Sequence, residues 1–257
     1  MKISLNDRHA LVCGASQGIG AAIAAELAQA GARLTLVARN EEKLKQMVSK
    51  LEGSGHSLLR ADFLSDQDVS SVSDYCVEHK VDILVNNTGG PSPGEITEAT
   101  ISVFERAMKM HLHASHTFSQ ACLQHMKSQR FGRIINIIST SVKIPIAGLG
   151  VSNTTRAAMA GWSKTLSGEL APFGITVNNI LPGFIDTDRL GQLINKLSED
   201  GNLGREEVVE NMLKSVPAGK FGLPEQIGHL GVFLSSEYAS YITGESIRVD
   251  GGKTGSI

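Results

Sequence analysis

Hydrophobic residues in this chain follow two alternating patterns, one typical of buried strands and the other of helices. Short apolar runs predict seven strands, at 9–13, 33–37, 57–61, 81–86, 133–139, 175–181 and 246–250. Between them, apolar residues recur at the i, i+3, i+4, i+7 spacing of one helix face. Ile19, Ile23 and Leu27 predict a helix over 18–30, and Leu44, Met47, Val48 and Leu51 predict one over 41–51.

Strand–helix alternation over the whole length predicts the α/β class. We expect a single-domain, Rossmann-type, doubly wound parallel sheet of about seven strands over residues 1–257, with helices on both faces. The runs VDILV at 81–85 and IINII at 134–138 are nearly continuously apolar, which indicates strands covered on both faces. The segment 188–222 breaks the rhythm with amphipathic helices and no strand. We expect it to form a lid over the carboxyl edge of the sheet, where such folds bind ligands.

Composition narrows the function classes. The chain has 257 residues, 24 Lys and Arg against 26 Asp and Glu, and a net charge of -2. This balance argues against a nucleic-acid partner, whose binding surface would be basic. The sequence shows neither an apolar run long enough for a spanning helix nor a secretory signal, so no membrane association is expected. Three separated cysteines and the absence of metal-ligand motifs predict a reduced, cytoplasmic protein without a metal.

The first strand leads directly into a glycine-rich turn, Gly14-Ala-Ser-Gln-Gly18-Ile-Gly20, that opens a helix. Such a turn lets backbone N–H groups approach a pyrophosphate at the helix N-terminus. Alone, the motif also fits an ordinary strand–helix turn, but the strands on either side favour the dinucleotide interpretation. The second strand ends at Arg39 without the acidic residue that binds a ribose 2′-hydroxyl in NAD sites. Because a guanidinium suits a 2′-phosphate, we predict NADP (NADPH) as cofactor.

Several further motifs make the chain resemble the short-chain dehydrogenase/reductase family, most closely in its bacterial 3-oxoacyl-acyl-carrier-protein reductases. The resemblance covers essentially the full length. It rests on GASQGIG at 14–20, Asp62, NNTG at 86–89, a serine after the fifth strand, GITVN at 174–178, PGFIDT at 182–187, YITG at 241–244 and DGG at 250–252. Cys13 replaces the usual Thr, and Gln17 stands where NADP-preferring members often place a second arginine.

The resemblance implies a set of cofactor-binding residues around the carboxyl edge of the sheet. They are expected at the phosphates and ribose, the adenine, the strand ends and the nicotinamide amide. The set is Gly14, Ser16, Gln17, Gly18, Ile19, Gly20, Arg39, Asp62, Phe63, Asn86, Thr88, Gly89, Arg156, Pro182, Gly183, Ile185 and Thr187.

The catalytic residues depart from the family pattern. The family normally uses Asn, Ser, Tyr and Lys, with Tyr as acid/base and Lys lowering its pKa. Ser139 matches the family serine, but Ser152 stands at the tyrosine position, Arg156 at the lysine position and His111 at the asparagine position. A serine hydroxyl is a far weaker acid than a phenol, and an arginine stays charged, so neither replaces the tyrosine as acid. His111 titrates in a useful range, although a packing role is the commoner one.

Two function classes therefore stay open. The first is an NADP(H)-dependent oxidoreductase that interconverts a carbonyl and an alcohol, with Ser139 and Arg156 stabilising the oxyanion and His111, Ser152 or water delivering the proton. A 3-oxoacyl thioester is the substrate that the resemblance implies. The second is a nucleotide-binding pseudo-enzyme or scaffold. The apolar face at Leu190, Leu193, Ile194 and Leu197 suits a substrate lid or plain helix packing.

The resemblance also bears on protein partners. Arg130 is similar to a basic carrier-protein contact of the reductases, but Phe173 occupies a second basic position, which argues against a carrier-protein partner. The last strand and an Ala- and Leu-rich helix at about 153–171, with Trp162, predict a homotetramer.

Overall fold

A computed structural model describes residues 2–201 and 203–256. Seven strands form one parallel sheet with the order β3-β2-β1-β4-β5-β6-β7. They are β1 His9–Cys13, β2 Arg33–Ala38, β3 Ser57–Arg60, β4 Ile83–Asn86, β5 Gly132–Ile137, β6 Ile175–Pro182 and β7 Ser246–Val249. All seven predicted strands are confirmed, with ends that shift by one or two residues.

The described helices cover both faces of the sheet. They are α1 Gly18–Gln29, α2 Glu41–Val48, α3 Asp66–His79, α4 Ile101–Met108, α5 Ala114–Gln129, α6 Gly150–Leu170, α7 Asp188–Gly201, α8 Arg205–Lys214 and α9 Pro224–Ser235. A π-helical turn, Lys109–His113, joins α4 to α5. The predicted helix at 41–51 ends earlier, at Val48, and the helix predicted at about 153–171 begins at Gly150.

Alternate residues of the strands supply two separate cores. Ala10 and Val12 of β1 belong to one core, which α1 and α9 cover, whereas Leu11 and Cys13 belong to the other, which α3, α5 and α6 cover. This period-two division of buried residues is what a sheet with two covered faces requires. The three cysteines, Cys13, Cys76 and Cys122, are free thiols buried in the second core.

The strand order places a topological switch point between β1 and β4. Chain connections leave β1 toward β2 and β3 on one side, and β4 leads toward β5, β6 and β7 on the other. A crevice opens at such a point outside the carboxyl ends of the strands, and doubly wound proteins bind their ligands there. The segments after β1, β4, β5 and β6 therefore converge on one edge.

Candidate cofactor and active site

The glycine-rich turn after β1 has the backbone geometry of a phosphate cradle. Gly14 and Gly18 have φ of 61° and 57°, a region that side chains other than glycine rarely adopt. A Cβ atom at Gly20 would lie 2.3 Å from the Gly14 carbonyl oxygen, so only glycine fits there. Gln17, the N-cap of α1, makes no capping hydrogen bond with its side chain. The first N–H groups of α1 are thus suited to an anion.

Asn87 supports this turn, a role that the sequence did not reveal. Its Nδ2 donates to the carbonyl oxygens of Cys13, at 3.2 Å, and Gly14, at 3.3 Å. Cβ atoms at Gly14 and Gly20 would lie 2.7 and 2.6 Å from the same nitrogen. The pair of asparagines at the end of β4 was the only sequence signal for this contact, and the resemblance assigned a role to Asn86 alone.

The side chain of Asn86 is buried and forms a hydrogen bond with the neighbouring strand. Its Nδ2 donates to Asn136 Oδ1 at 2.8 Å, and Asn136 Nδ2 in turn donates to Asn179 Oδ1 at 3.2 Å. The three asparagines lie in register on β4, β5 and β6. This ladder fixes the strand ends that carry the site. The contact between Asn86 and the cofactor that the resemblance implies stays a prediction.

Two cations lie at the corner of the crevice between the ends of β1 and β2, where the adenosine of a dinucleotide is expected. Arg39 is exposed just after β2. Lys43, in the first turn of α2, donates from Nζ to Gln17 Oε1 at 2.6 Å, which ties that lysine to the glycine-rich turn. Gln17 thus brings a second positive charge to the place where the family pattern would have an arginine. Lys43 was missed because nothing in its local sequence separates it from an ordinary surface lysine.

Asp62 and Phe63 follow β3 beside this corner. Asp62 Oδ1 accepts a hydrogen bond from the Leu64 backbone N–H at 3.0 Å, which shapes the turn. Phe63 is buried in the second core, with its ring centroid 5.2 Å from that of Phe118. The packing of Phe63 fixes this turn in place.

The loop after β6 closes the opposite side of the crevice. A Cβ atom at Gly183 would lie 2.7 Å from Asp250 Cα, so glycine is required for this close approach. Thr187 Cγ2 would lie 3.4 Å from a Cβ atom at Gly18, and both residues line a hollow of about 400 Å³. Ile185 is buried in the first core. The glycine-rich turn and the loop after β6 therefore meet at Gly18 and Thr187. The close glycine packing of the turn and the uncapped N-terminus of α1 suit the pyrophosphate of a dinucleotide.

Ser139 lies just past the carboxyl end of β5 and is half-buried. Its Oγ accepts a hydrogen bond from the backbone N–H of Ser141 at 3.0 Å. Because a hydroxyl oxygen that accepts in this way keeps its own proton to donate, Ser139 can hydrogen-bond a carbonyl oxygen in the crevice. The structure places it at the edge where the sequence predicted it.

Arg156 extends from α6 and is buried against the neighbouring strands. Its Nη1 donates to the carbonyl oxygen of Ile137 at 2.9 Å, and its Nη2 to that of Thr88 at 3.3 Å. Burial, and secondarily the charge of Arg189, lowers the pKa of Arg156 to about 9, so the guanidinium stays cationic at neutral pH. Ser152 lies one helical turn earlier and is half-buried. The predicted Ser–Arg pair thus shares one face of α6.

His111 lies in the π-helical turn, a feature that occurs frequently at functional sites. Its ring is 1% exposed, Nδ1 is hydrogen-bonded to Thr88 Oγ1, and Nε2 has no partner among the described residues. Burial, followed by the charges of Arg156 and Arg189, lowers the pKa of His111 to about 2. The imidazole is therefore neutral at working pH, which favours its packing role over that of an imidazolium acid.

The low pKa of His111 predicts how acid acts on the fold. In the unfolded chain a histidine binds its proton near the ordinary pKa of 6.5, whereas folded His111 stays neutral down to about 2. Stability must therefore fall as pH decreases below 6.5, by as much as ~1.4 kcal/mol per pH unit for one proton. His111→Asn should reduce that slope in urea titrations between pH 7 and 4.5. The exposed His113 gives the matched control His113→Asn, and equal slopes for both variants would contradict the prediction.

The two helices of the 188–222 segment pack on each other. Leu190 and Ile194 of α7 are buried against Val208 and Met212 of α8. Leu197 remains 41% exposed. Most of the predicted apolar stripe is thus explained by helix packing. Arg189, which the sequence did not single out, donates to the Gly90 carbonyl oxygen at 3.4 Å and connects α7 to the loop after β4.

Neither a metal cluster nor a membrane-spanning helix occurs in the described part of the chain. Among the side chains that the structure describes, no three of His, Cys, Asp or Glu lie together in a group suited to a metal ion. Within the same residues, no helix combines the length and hydrophobicity needed to cross a membrane.

The fold and the glycine cradle define a dinucleotide-binding α/β protein of the doubly wound class. Residues 14–254 match the family model described as enoyl-(acyl carrier protein) reductase, and the chain belongs to the short-chain dehydrogenase/reductase family.

Individual relatives span the whole chain. The chain is 34% identical to the 3-oxoacyl-[acyl-carrier-protein] reductase FabG of Aquifex aeolicus, over 98% of this chain and 99% of that protein. It is 33% identical to the NADPH-dependent reductase BacG of Bacillus subtilis, over 98% and 100%. The L-sorbose reductase of Gluconobacter frateurii, solved with NADPH and L-sorbose, superposes with a TM-score of 0.91 at 29% identity over both full chains.

Proposed function

We propose that this chain is an NADP(H)-dependent oxidoreductase that interconverts a carbonyl and an alcohol. The observation that carries the proposal is that Arg156 binds the Thr88 carbonyl oxygen, next to Asn87, whose side chain holds the glycine-rich turn. Ser139 lies after β5 at the same edge of the sheet. The relatives named as an NADPH-dependent reductase or solved with NADPH support the choice of cofactor. When bound, NADPH supplies the hydride that the carbonyl carbon takes up.

The chain's own residues stabilise the charge that develops on the carbonyl oxygen. Ser139 donates a hydrogen bond from its free hydroxyl proton, and Arg156 provides a fixed positive charge in a buried position where Coulomb interactions are strong. Neutral His111 and the weakly acidic Ser152 are poor proton donors, so we assign the proton to water that enters the crevice. The 188–222 segment serves as the lid over this crevice.

The cofactor preference can be tested at the adenosine corner. Arg39→Ala and Lys43→Ala should each raise the Kd for NADPH about 10-fold and leave that for NADH nearly unchanged, because each removes a charge-assisted contact to the 2′-phosphate. Fluorescence titrations at one fixed salt concentration measure both constants. Lys45→Ala, on the same helix but paired with Glu41 and Glu42, is the matched control. Equal wild-type affinities, or tighter NADH binding, would refute the assignment.

A nucleotide-binding pseudo-enzyme is the second candidate, and one observation favours it. His111 carries no acidic proton at neutral pH, because its imidazole is neutral, and Ser152 is a far weaker acid than the family tyrosine. Arg156 is held by the carbonyl oxygens of Ile137 and Thr88. NADPH oxidation with a panel of ketones, aldehydes and 3-oxoacyl thioesters separates the two candidates. NADPH binding without turnover of any carbonyl would favour the pseudo-enzyme.

The substrate expected from the resemblance is a 3-oxoacyl thioester. The surface at which the resemblance implies carrier-protein contacts is only partly basic. Arg130 is exposed there and donates to the Pro172 carbonyl oxygen at 3.3 Å, but Phe173 is also exposed. Lys127 lies 4.7 Å above the Phe173 ring and adds a cation that the sequence did not suggest. Phe173 still argues against a carrier-protein partner.

We also infer a homotetramer. Many apolar residues of α6 are used inside the chain, since Met159, Leu166 and Leu170 are buried and Trp162 donates to His116 Nδ1 at 3.3 Å. Apolar residues Ile101 and Val103 on the neighbouring helix α4 stay exposed and suit an interface. Light scattering at micromolar concentration should give four times the chain mass; a stable monomer would contradict the inference.

A further inference from the structure

Two arginines bind the same short loop, Thr88–Gly90, which follows β4 into the crevice. Arg156 reaches it from α6 and donates to the Thr88 carbonyl oxygen at 3.3 Å. Arg189 reaches it from the first turn of α7 and donates to the Gly90 carbonyl oxygen at 3.4 Å. A Cβ atom at Gly90 would lie 2.6 Å from Arg189 Nη2, so the guanidinium lies directly over the glycine. Both charges therefore lie at one small region of the carboxyl edge of the sheet. Ser139 follows the neighbouring strand β5 at the same edge.

The two positive charges have no carboxylate partner among the described side chains. The ion pairs among the described side chains all join other groups. The two guanidiniums are also near enough that the charge of Arg189 lowers the pKa of Arg156. Neighbouring cations that bind only carbonyl oxygens and form no ion pair favour an anionic occupant between them.

The two arginines are not equivalent in accessibility. Arg156 is 7% exposed and two of its N–H groups are bound to carbonyl oxygens of Ile137 and Thr88, so it is a fixed charge behind the loop. Arg189 is exposed at the mouth, and its hydrogen bond is to a single carbonyl oxygen. A guanidinium can bind a carboxylate with two parallel hydrogen bonds. Arg189 is therefore the arginine that an entering substrate can engage.

We propose that the substrate is a carbonyl compound bearing a carboxylate, and that Arg189 is the specificity-determining residue that binds this carboxylate. This inference rests on the proposed oxidoreductase function and narrows its substrate class. Lys196, two turns further along α7, donates to the carbonyl oxygen of Pro93 at 3.4 Å, three residues after the loop Thr88–Gly90. Arg189 and Lys196 therefore both connect α7 to the segment after β4.

The test compares a charged probe with a neutral analogue of the same carbon skeleton. Calorimetry measures the binding of acetoacetate and of methyl acetoacetate to the protein–NADP⁺ complex, and NADPH oxidation gives kcat/KM for both. The wild type should prefer acetoacetate. Arg189→Ala should weaken acetoacetate binding about 10- to 100-fold, the range for a lost charge-assisted hydrogen bond, and leave the ester unchanged. Arg189→Lys should retain part of the preference, because it keeps the charge but loses the planar fork.

The controls distinguish this inference from the cofactor assignment. Lys214→Ala removes one charge from α8, where Lys214 pairs with Glu210, and should leave the preference intact. If NADPH itself does not bind, the proposed function fails. If NADPH binds but the wild type treats the acid and the ester equally, or prefers the ester, only the carboxylate inference fails. A weaker NADPH affinity of Arg189→Ala with an unchanged probe preference would assign Arg189 to the cofactor and overturn the inference.

Discussion

Replacing Ser139 by Ala should lower kcat about 100-fold while the Kd for NADPH stays unchanged. Ser139 Oγ accepts its hydrogen bond from the Ser141 N–H, so its own proton is free for the substrate oxygen. Removing one donor of this kind from an oxyanion site typically costs on the order of 100-fold or more. Single-turnover kinetics with saturating NADPH would measure the loss at the chemical step.

Ser152→Ala is the matched control for this substitution. Ser152 is half-buried on α6, but its side chain is too short to reach the place of a tyrosine oxygen, so its loss should cost little. Ser139 also caps a short turn, and loss of a cap costs about 1 kcal/mol of stability. Melting temperatures of both variants therefore accompany the kinetics. Equal kcat values for the two variants would contradict the role of Ser139 as a hydrogen-bond donor to the substrate oxygen.

The second large effect is expected from the double change Ser152→Tyr with Arg156→Lys. It restores the residue pair typical of the family, with a phenol whose pKa the neighbouring ammonium lowers. If the native protein is a slow reductase that lacks only a proton donor, ketone reduction should increase. If the crevice is adapted to the native pair, the ring should fill substrate space and abolish native activity.

The single changes show which of these outcomes is due to Arg156. Arg156→Ala leaves the carbonyl oxygens of Ile137 and Thr88 without a donor, at a cost of about 1–3 kcal/mol for each unsatisfied group. It should raise the KM for the cofactor and lower kcat. Arg156→Lys keeps the positive charge. Comparing it with Arg156→Ala therefore separates the effect of losing the charge from the effect of losing stability. Inactivity of the native protein and of every variant in all carbonyl and alcohol assays would leave the pseudo-enzyme as the sole candidate.

Local patterns in the sequence predict most of the fold. Residue periodicity and glycine placement predict the seven strands, the glycine-rich turn and the helices at 18–30 and 41–51. Both signals lie within short stretches of the sequence. The end of the second of these helices at Val48 shows where periodicity fails. Leu51 continues the apolar spacing in the sequence, but the chain leaves the helix before it. Apolar spacing alone does not fix where a helix ends.

The residues of the candidate site also fall into those that the sequence could place and those that it could not. Residues that follow a strand or open a helix, such as Ser139 and Gly14, could be placed from the sequence because parallel strands end at one edge. Asn87 and Lys43 could not, since their roles depend on partners in other segments, Cys13 and Gln17. For His111, the sequence offered a titrating group, and only burial beside two arginines showed that its pKa is far too low for an imidazolium acid.

The sequence by itself determined the α/β sheet, the dinucleotide cradle and the replacement of the family tyrosine and lysine by Ser152 and Arg156. These features are local in the chain, because each follows from periodicity or from one motif. The tertiary structure alone decided that Arg156 and Arg189, which are remote in sequence, bind one loop and share the crevice. Charge–charge coupling and desolvation depend on distances across the fold, and a linear pattern does not contain them.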